Sequence, residues 1–207
     1  MSADFLRRYT DLPALLCMLS ERKITLLDPK SWDDTNDSYY LAQYRDKQNR
    51  KSVLALCFSQ VPETYHHWRV FSQGSSGVCI YFRRDTLLAA LRKQDGVTAR
   101  VVEYLPILEA RKRTLQTKEL PFIKREAFRP EAEFRVVFES DESLPSIKIP
   151  IDLSCIDRIL LSPWLHKSLT QATKEAIRSV NGCKKLKVSR SNLLSNEEWK
   201  TIGGKAT

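Results

Sequence analysis

Glycine is scarce, 6 in 207 residues. That argues against a Gly-rich linker or a repeat array, and no internal period or low-complexity tract is found. No GxGxxG, Walker or GxSxG run is present, so any nucleotide is held without a Gly-rich phosphate loop. No apolar run approaches the roughly 20 residues of a membrane-spanning helix. The opening MSADFLRRYT has no apolar h-region, so no secretory signal is expected. The five cysteines, Cys17, Cys57, Cys79, Cys155 and Cys183, are far apart, with no CxxC and no histidine at companion spacing. Neither a disulfide framework nor a zinc site is expected; buried free thiols in a cytoplasmic protein are.

What is present is the composition of a globular chain, 42% hydrophobic and 29% charged. This length supports one core, so a single domain over 1–207 is expected, with a possible helical insertion at 105–120. The formal net charge is +9. Such an excess attracts nucleic acid or another acidic partner, although a charge run is also what a solvated face looks like. Its densest parts are ARKRTLQTK (110–118), 124–129 and CKKLKVSR (183–190). Nothing in the sequence speaks to oligomeric state, and no membrane partner is expected.

Apolar spacing predicts strands at Phe5–Tyr9, Ile24–Leu27, Val53–Phe58, Val78–Phe82, Ala99–Tyr104, Ile147–Ile151, Ile156–Leu161 and Leu186–Ser189. Helices are expected from Leu12 after a Thr10 or Asp11 cap, and over 39–45, 62–71, 86–93, 105–120 and 165–180, the last closed by Gly182. Asp28–Asp37 reads as a polar loop. Strands and helices alternate without a βαβ rhythm. That pattern gives an α+β fold, a single domain with a mixed or mainly antiparallel sheet flanked by helices.

The stretch PFIKREAFRPEAEFRVVFE (121–139) is the most informative. Glu131 and Glu133 stand at the mouth of an apparent strand that would point Ala132, Phe134, Val136 and Phe138 into a core, leaving Glu131, Glu133 and Arg135 on the other face. Two glutamates on one face repel, so the spacing suggests a use. Carboxylates so close can divide roles, one ionised and one with a raised pKa. That division suits transfer from an activated glycoside. The rival reading is an exposed face laced with Glu–Arg pairs.

Other candidates are weighed the same way. Asp33, Asn36, Asp37 and Asp34 in WDDTND could bind a divalent cation, but no EF-hand pattern is present and an Asx-rich turn fits as well. His66 and His67 diverge by about 100° on a helix and cannot readily chelate one ion together; His67 reads as a buried or pocket-lining group. Trp68 with Tyr65 is a stacking platform or simply core. Arg7, Arg8 and Tyr9 end the first strand, where an arginine could grip a pyrophosphate and Tyr9 could stack on a ring.

In combination, RRYTDLPALLCMLSERKITL, SWDDTND, LCFSQVPETYHHWRVFSQGSSGVCIYF and EAEFR resemble a mostly bacterial family, the domain of unknown function numbered two-nine-seven-one. The resemblance runs from about Leu6 to Leu194. The loop departs from the family's Asn-Asp-Pro-Phe-Glu, with Thr35-Asn36-Asp37-Ser38-Tyr39 in its place. The resemblance implies an association with mobile elements and phage defence, and no reaction. A looser layout, an early Arg-Tyr-Thr strand and a distant ExE strand, is similar to ADP-ribosyltransferases. That similarity implies NAD as cofactor, held by Arg8 and Tyr9, with Trp68 and Arg135 as further cofactor contacts. It makes Glu133 catalytic and has Glu131 address the acceptor. The middle Ser-Thr-Ser strand motif of those enzymes is not evident.

Three functions therefore follow as expectations. The first is an NAD-consuming ADP-ribosyltransferase or glycohydrolase acting on nucleic acid or a protein. The second is a metal-dependent nuclease using Asp33, Asp37, Glu131, Glu133 and Lys124. The third is a non-enzymatic nucleic-acid or protein-binding module.

Overall fold

The computed structural model describes residues 4–72 and 74–205. Its strands are β1 (Phe5–Asp11), β2 (Lys23–Leu27), β3 (Ser52–Ser59), β4 (Gly77–Arg83), β5 (Val97–Val101), β6 (Glu103–Leu105), β7 (Ile123–Arg125), β8 (Glu133–Ser140), β9 (Ser146–Pro150), β10 (Ile156–Leu161) and β11 (Lys187–Arg190). Its helices are α1 (Leu12–Glu21), α2 (Thr35–Lys47), α3 (Tyr65–Phe71), α4 (Arg84–Leu91), α5 (Ile107–Ala110), α6 (Thr170–Ser179) and α7 (Glu197–Gly203). Among the described residues no helix is long and apolar enough to cross a membrane.

The fold is α+β. Nine strands form one mixed sheet in the order β11-β10-β4-β1-β3-β2-β9, with β8 on β3 and β5 on β8. Only β10 and β11 run parallel within it. β3 and β4 are apolar almost throughout because both of their faces are covered. On one face Leu54, Leu56, Phe58, Phe134, Val136 and Phe138 meet Leu15 and Leu19 of α1 and Leu87 and Leu91 of α4. The opposite face carries two smaller cores. One joins Leu41 of α2 to Val53, Ala55, Phe122 and Val137; the other joins Trp68 of α3 to Cys79 and Tyr81, flanked by Phe5 and Tyr9.

One edge of β3 pairs with β8 along its whole length, from Ser52↔Ser140 to Ser59↔Glu133. The other edge is shared. β1 touches it at Arg7↔Ser59 and β2 at Leu27↔Ala55. β1 and β2 therefore diverge, and a fork opens between them opposite Cys57, the one β3 residue that is not fully buried. Arg7, Ser59 and Glu133 lie in one row across β1, β3 and β8.

Local chemistry explains the boundaries. Asp11 caps α1 by accepting from the Ala14 N–H at 2.7 Å. Asp34 caps α2, so Asp37 lies inside a helix rather than in the expected loop. Thr64 caps α3, which begins at Tyr65, not at Pro62. α6 begins at Thr170, leaving Leu165 outside it.

The expected helix at 105–120 is replaced by one turn, α5, and a 3-10 turn at Thr117–Phe122. Arg113 instead pairs with Glu103 at 2.7 Å and with Glu119, drawing the chain back on itself. All five cysteines are free thiols, and Cys17 is exposed rather than buried.

Candidate active site

The strand expected to open at Glu131 opens at Glu133 instead. β7 ends at Arg125, a 3-10 turn spans Glu126–Glu131, and Ala132 takes the left-handed region at φ 45° before β8 begins. Only Glu133 and Arg135 share the strand face expected of them; Glu131 ends the preceding turn. Phe134, Val136 and Phe138 point into the main core as expected.

Arg135 is fully buried. Its guanidinium donates to both Asp37 oxygens, at 2.7 and 2.6 Å, and to both Glu133 oxygens, at 2.6 and 2.9 Å. A further bond at 2.9 Å reaches the Pro121 carbonyl, and the Trp32 ring lies 5.1 Å away. Lys124 is the second cation. Its ammonium donates to Glu131 at 2.6 Å and stands 3.5 Å from Asp37, 3.6 Å from Glu133 and 4.0 Å from Asp34. Four carboxyl groups thus face two cations in a mostly buried setting.

That imbalance separates the two glutamates. Burial pushes the Glu133 carboxyl up, but Arg135 and Lys124 outweigh it and hold the carboxyl below its ordinary value. Burial pushes Glu131 up as well, and there Lys124 offsets only part of it, so the carboxyl stays above its ordinary value. Glu133 is thus held toward the ionised form and Glu131 is the more basic of the two, the pattern of carboxylates with divided roles.

A cavity of about 340 Å³ adjoins the cluster. Asp34, Asp37 and Lys124 line its buried end; Tyr40, Leu105, Leu115 and Ile123 line its walls. Arg111 and Arg125 also line it, and both are exposed, so they mark its mouth.

The acidic loop and the ExE segment therefore do converge, as a metal-dependent nuclease needs for Asp37, Glu131 and Glu133. The centre of that convergence is taken by Lys124 and Arg135. Asp33 is exposed and is joined to the cluster by no hydrogen bond or ion pair among the described residues. Among the described residues no group of three or more His, Cys, Asp or Glu is arranged to hold a metal ion.

Arg8 sits in the β1/β2 fork, half-buried, donating to the Thr25 carbonyl at 3.4 Å. Burial pulls its guanidinium down to about 10, against the nearby Cys57 and Asp11. Cys57 in turn lies against Glu133, so Arg8 approaches the dyad through one thiol. Tyr9 and Trp68 lie off the cavity. Tyr9 stacks on His67 at 5.5 Å and meets Trp68 edge-on at 5.2 Å. Trp68 is fully buried and donates from its indole N–H to Glu63 at 2.7 Å.

Sequence reasoning gives Lys124, Tyr40, Arg111 and Ser59 no NAD-site role, and it does not foresee that Arg7, Ser59 and Glu133 fall in one row. The row is a product of register. Ser59 in LCFSQ was the only available signal for it.

No family model matches the chain, so the resemblance to the domain-of-unknown-function family rests on the quoted motifs alone. No curated protein matches it. Among solved structures it is similar to Thermus sp. 2.9 DarT in complex with NAD+, at 9% identity and a TM-score of 0.46, over 91% of this chain and 96% of that chain. It is similar also to the same protein in complex with carba-NAD+, at 10% identity and a TM-score of 0.45, over the same shares. A likeness at these scores assigns neither fold nor chemistry to the chain.

Proposed function

We propose that the chain is an NAD-consuming enzyme of the ADP-ribosyltransferase type. The polarity of the cavity carries this reading. Asp34 and Asp37 line its buried end beside Lys124, whose ammonium also meets Glu131 and Glu133 just outside the lining, and its mouth holds two exposed arginines. A dinucleotide with a cationic nicotinamide riboside and an anionic pyrophosphate has the matching polarity. The volume lies in the ~300–1,000 Å³ range of ligand pockets.

In this reading the bond from ribose C1 to nicotinamide breaks, and the fixed charge of ionised Glu133 steadies the oxocarbenium-like centre. Glu131, beside Lys124, takes the proton of the incoming nucleophile. Arg135 orients Glu133 and keeps it ionised. Tyr40 and the apolar walls offer a ring-stacking surface. Free thiols suit a cytoplasmic setting.

The test is nicotinamide release from NAD by wild type and by Glu133→Gln. Release by the wild type that falls to background in the variant is expected. Equal release by both, or none with any acceptor tried, removes the reading.

The acceptor is proposed to be nucleic acid. Arg69 supports this: its guanidinium lies 4.2 Å from the Trp164 ring centroid and 5.2 Å from that of exposed Tyr65, on a chain of net charge +9. Such an aromatic–arginine stack suits bases and phosphates together. Binding of a single-stranded oligonucleotide should weaken linearly on a log–log salt plot, and Arg69→Ala should weaken it further. Salt-insensitive binding counts against this acceptor.

A further inference from the structure

His67 is fully buried on α3, outside the ion cluster, and the chemistry above does not use it. Its Nε2 lies 3.1 Å from the Glu131 carbonyl oxygen and 3.1 Å from Ser59 Oγ. A carbonyl only accepts, so Nε2 carries the hydrogen. Nδ1 is then the acceptor and takes the Thr64 hydroxyl at 2.5 Å. Burial, with His66 and Arg7 nearby, holds the imidazole below its ordinary pKa and therefore neutral. Tyr9 stacks on one side of the ring, and Phe71 lies 6.0 Å away.

The carbonyl that His67 holds belongs to the kink between the two glutamates. Four groups fix that kink. His67 takes the Glu131 carbonyl, the Gln60 N–H takes the Ala132 carbonyl at 2.9 Å, the Val102 N–H takes the Glu133 carbonyl at 3.0 Å, and the Tyr104 hydroxyl accepts from the Glu133 N–H at 2.8 Å. Of the four, His67 is the group that holds the Glu131 carbonyl; the N–H of the same peptide, on Ala132, donates to the Arg129 carbonyl at 3.0 Å. Ala132 pays for the kink with a left-handed backbone that a non-glycine residue resists. A straightened chain would stack both carboxylates on one strand face, where they repel.

We propose that His67 is a positioning residue, holding the kink that directs Glu131 to Lys124 and away from Glu133. Its consequence for turnover rests on the proposed function; its consequence for the Glu131 carboxylate does not.

The experiment compares His67→Phe, which keeps a ring for Tyr9 but loses the donor, with His67→Gln, which keeps a donor near the Nε2 position. Two readouts are taken. In NAD turnover, His67→Phe should lower kcat about tenfold or more with KM little changed, and His67→Gln should recover most of it. In a carbon-13 titration of glutamate carboxyls, assigned with Glu131→Gln, the Glu131 midpoint should rise further in His67→Phe, as Lys124 is lost and Glu133 approached, and stay near wild type in His67→Gln.

An unchanged or lowered midpoint in His67→Phe overturns the proposal, and so does equal displacement in both variants. A wild type that does not turn over NAD removes the proposed function but leaves the titration to decide this one. If His67→Phe fails to fold, Thr64→Val serves: the nitrogen-15 shifts of His67 should leave the Nε2–H tautomer, and the Glu131 midpoint should move. Unchanged shifts and midpoint in Thr64→Val overturn the proposal.

Discussion

Arg135→Met should cost about 3–5 kcal/mol of folding stability, the range for breaking a buried ion pair from one side. The reason is what stays behind. Asp37 and Glu133 spend both oxygens each on this guanidinium. Removing it leaves two buried carboxylates with only Lys124, at 3.5 and 3.6 Å, for compensation. Urea denaturation reads the loss as a lower midpoint at unchanged slope. Arg135→Lys should recover only part of it, because one ammonium cannot reproduce a planar fork gripping two carboxylates. Replacing Asp37, Glu133 and Arg135 together by apolar residues of similar volume should be far milder than the single change. A single change as mild as the triple one would show that the cluster is not held by mutual compensation.

Glu131→Gln should have the opposite profile. NAD turnover should fall about 10²–10⁴-fold, the range for a general acid or base, while stability at pH 7 holds or rises. The sign follows from linkage. The folded state raises the Glu131 carboxyl, so it binds a proton more tightly than the unfolded chain does. The stability that this contributes is present at low pH and is lost as pH rises from the ordinary glutamate value through the raised one. Above both, the ionised group is a net liability that glutamine lacks. The advantage of the variant in thermal midpoint should therefore be largest near neutrality and shrink as pH falls toward 4.5. A variant that is less stable at every pH and fully active would sink the assignment of Glu131 as the proton-handling group.

Much of the scaffold was legible in the residues because local chemistry fixes it. Asp11 and Pro13 start α1, and the apolar runs of β3, β4 and β10 leave little choice of state. The alternation of Phe134, Val136 and Phe138 gave the core face of β8 and, with it, the opposite face of Glu133 and Arg135. Charges misled where tertiary partners decide. Arg111 to Arg113 read as part of a helix until Glu103 and Glu119 are known to lie beside Arg113. The kink at Ala132 has no local signal, since alanine rarely takes that backbone; distant groups on Gln60, His67, Val102 and Tyr104 impose it. The meeting of Asp37 with Arg135 spans nearly a hundred residues, and no periodicity reports such a distance.

Lys124 reaches its carboxylates from β7, which pairs only with β6 in a small sheet of its own. The residues it binds belong to α2, to the 3-10 turn and to the large sheet. Two separate ladders are thus joined by the charges on Lys124, alongside the Tyr104 hydroxyl of β6 that accepts from the Glu133 N–H. Insertions between β6 and β7 can reshape the cavity mouth without disturbing a ladder of the main sheet, leaving the charged grip in place under an altered rim. A scaffold divided in this way can change what it admits faster than it changes how it folds.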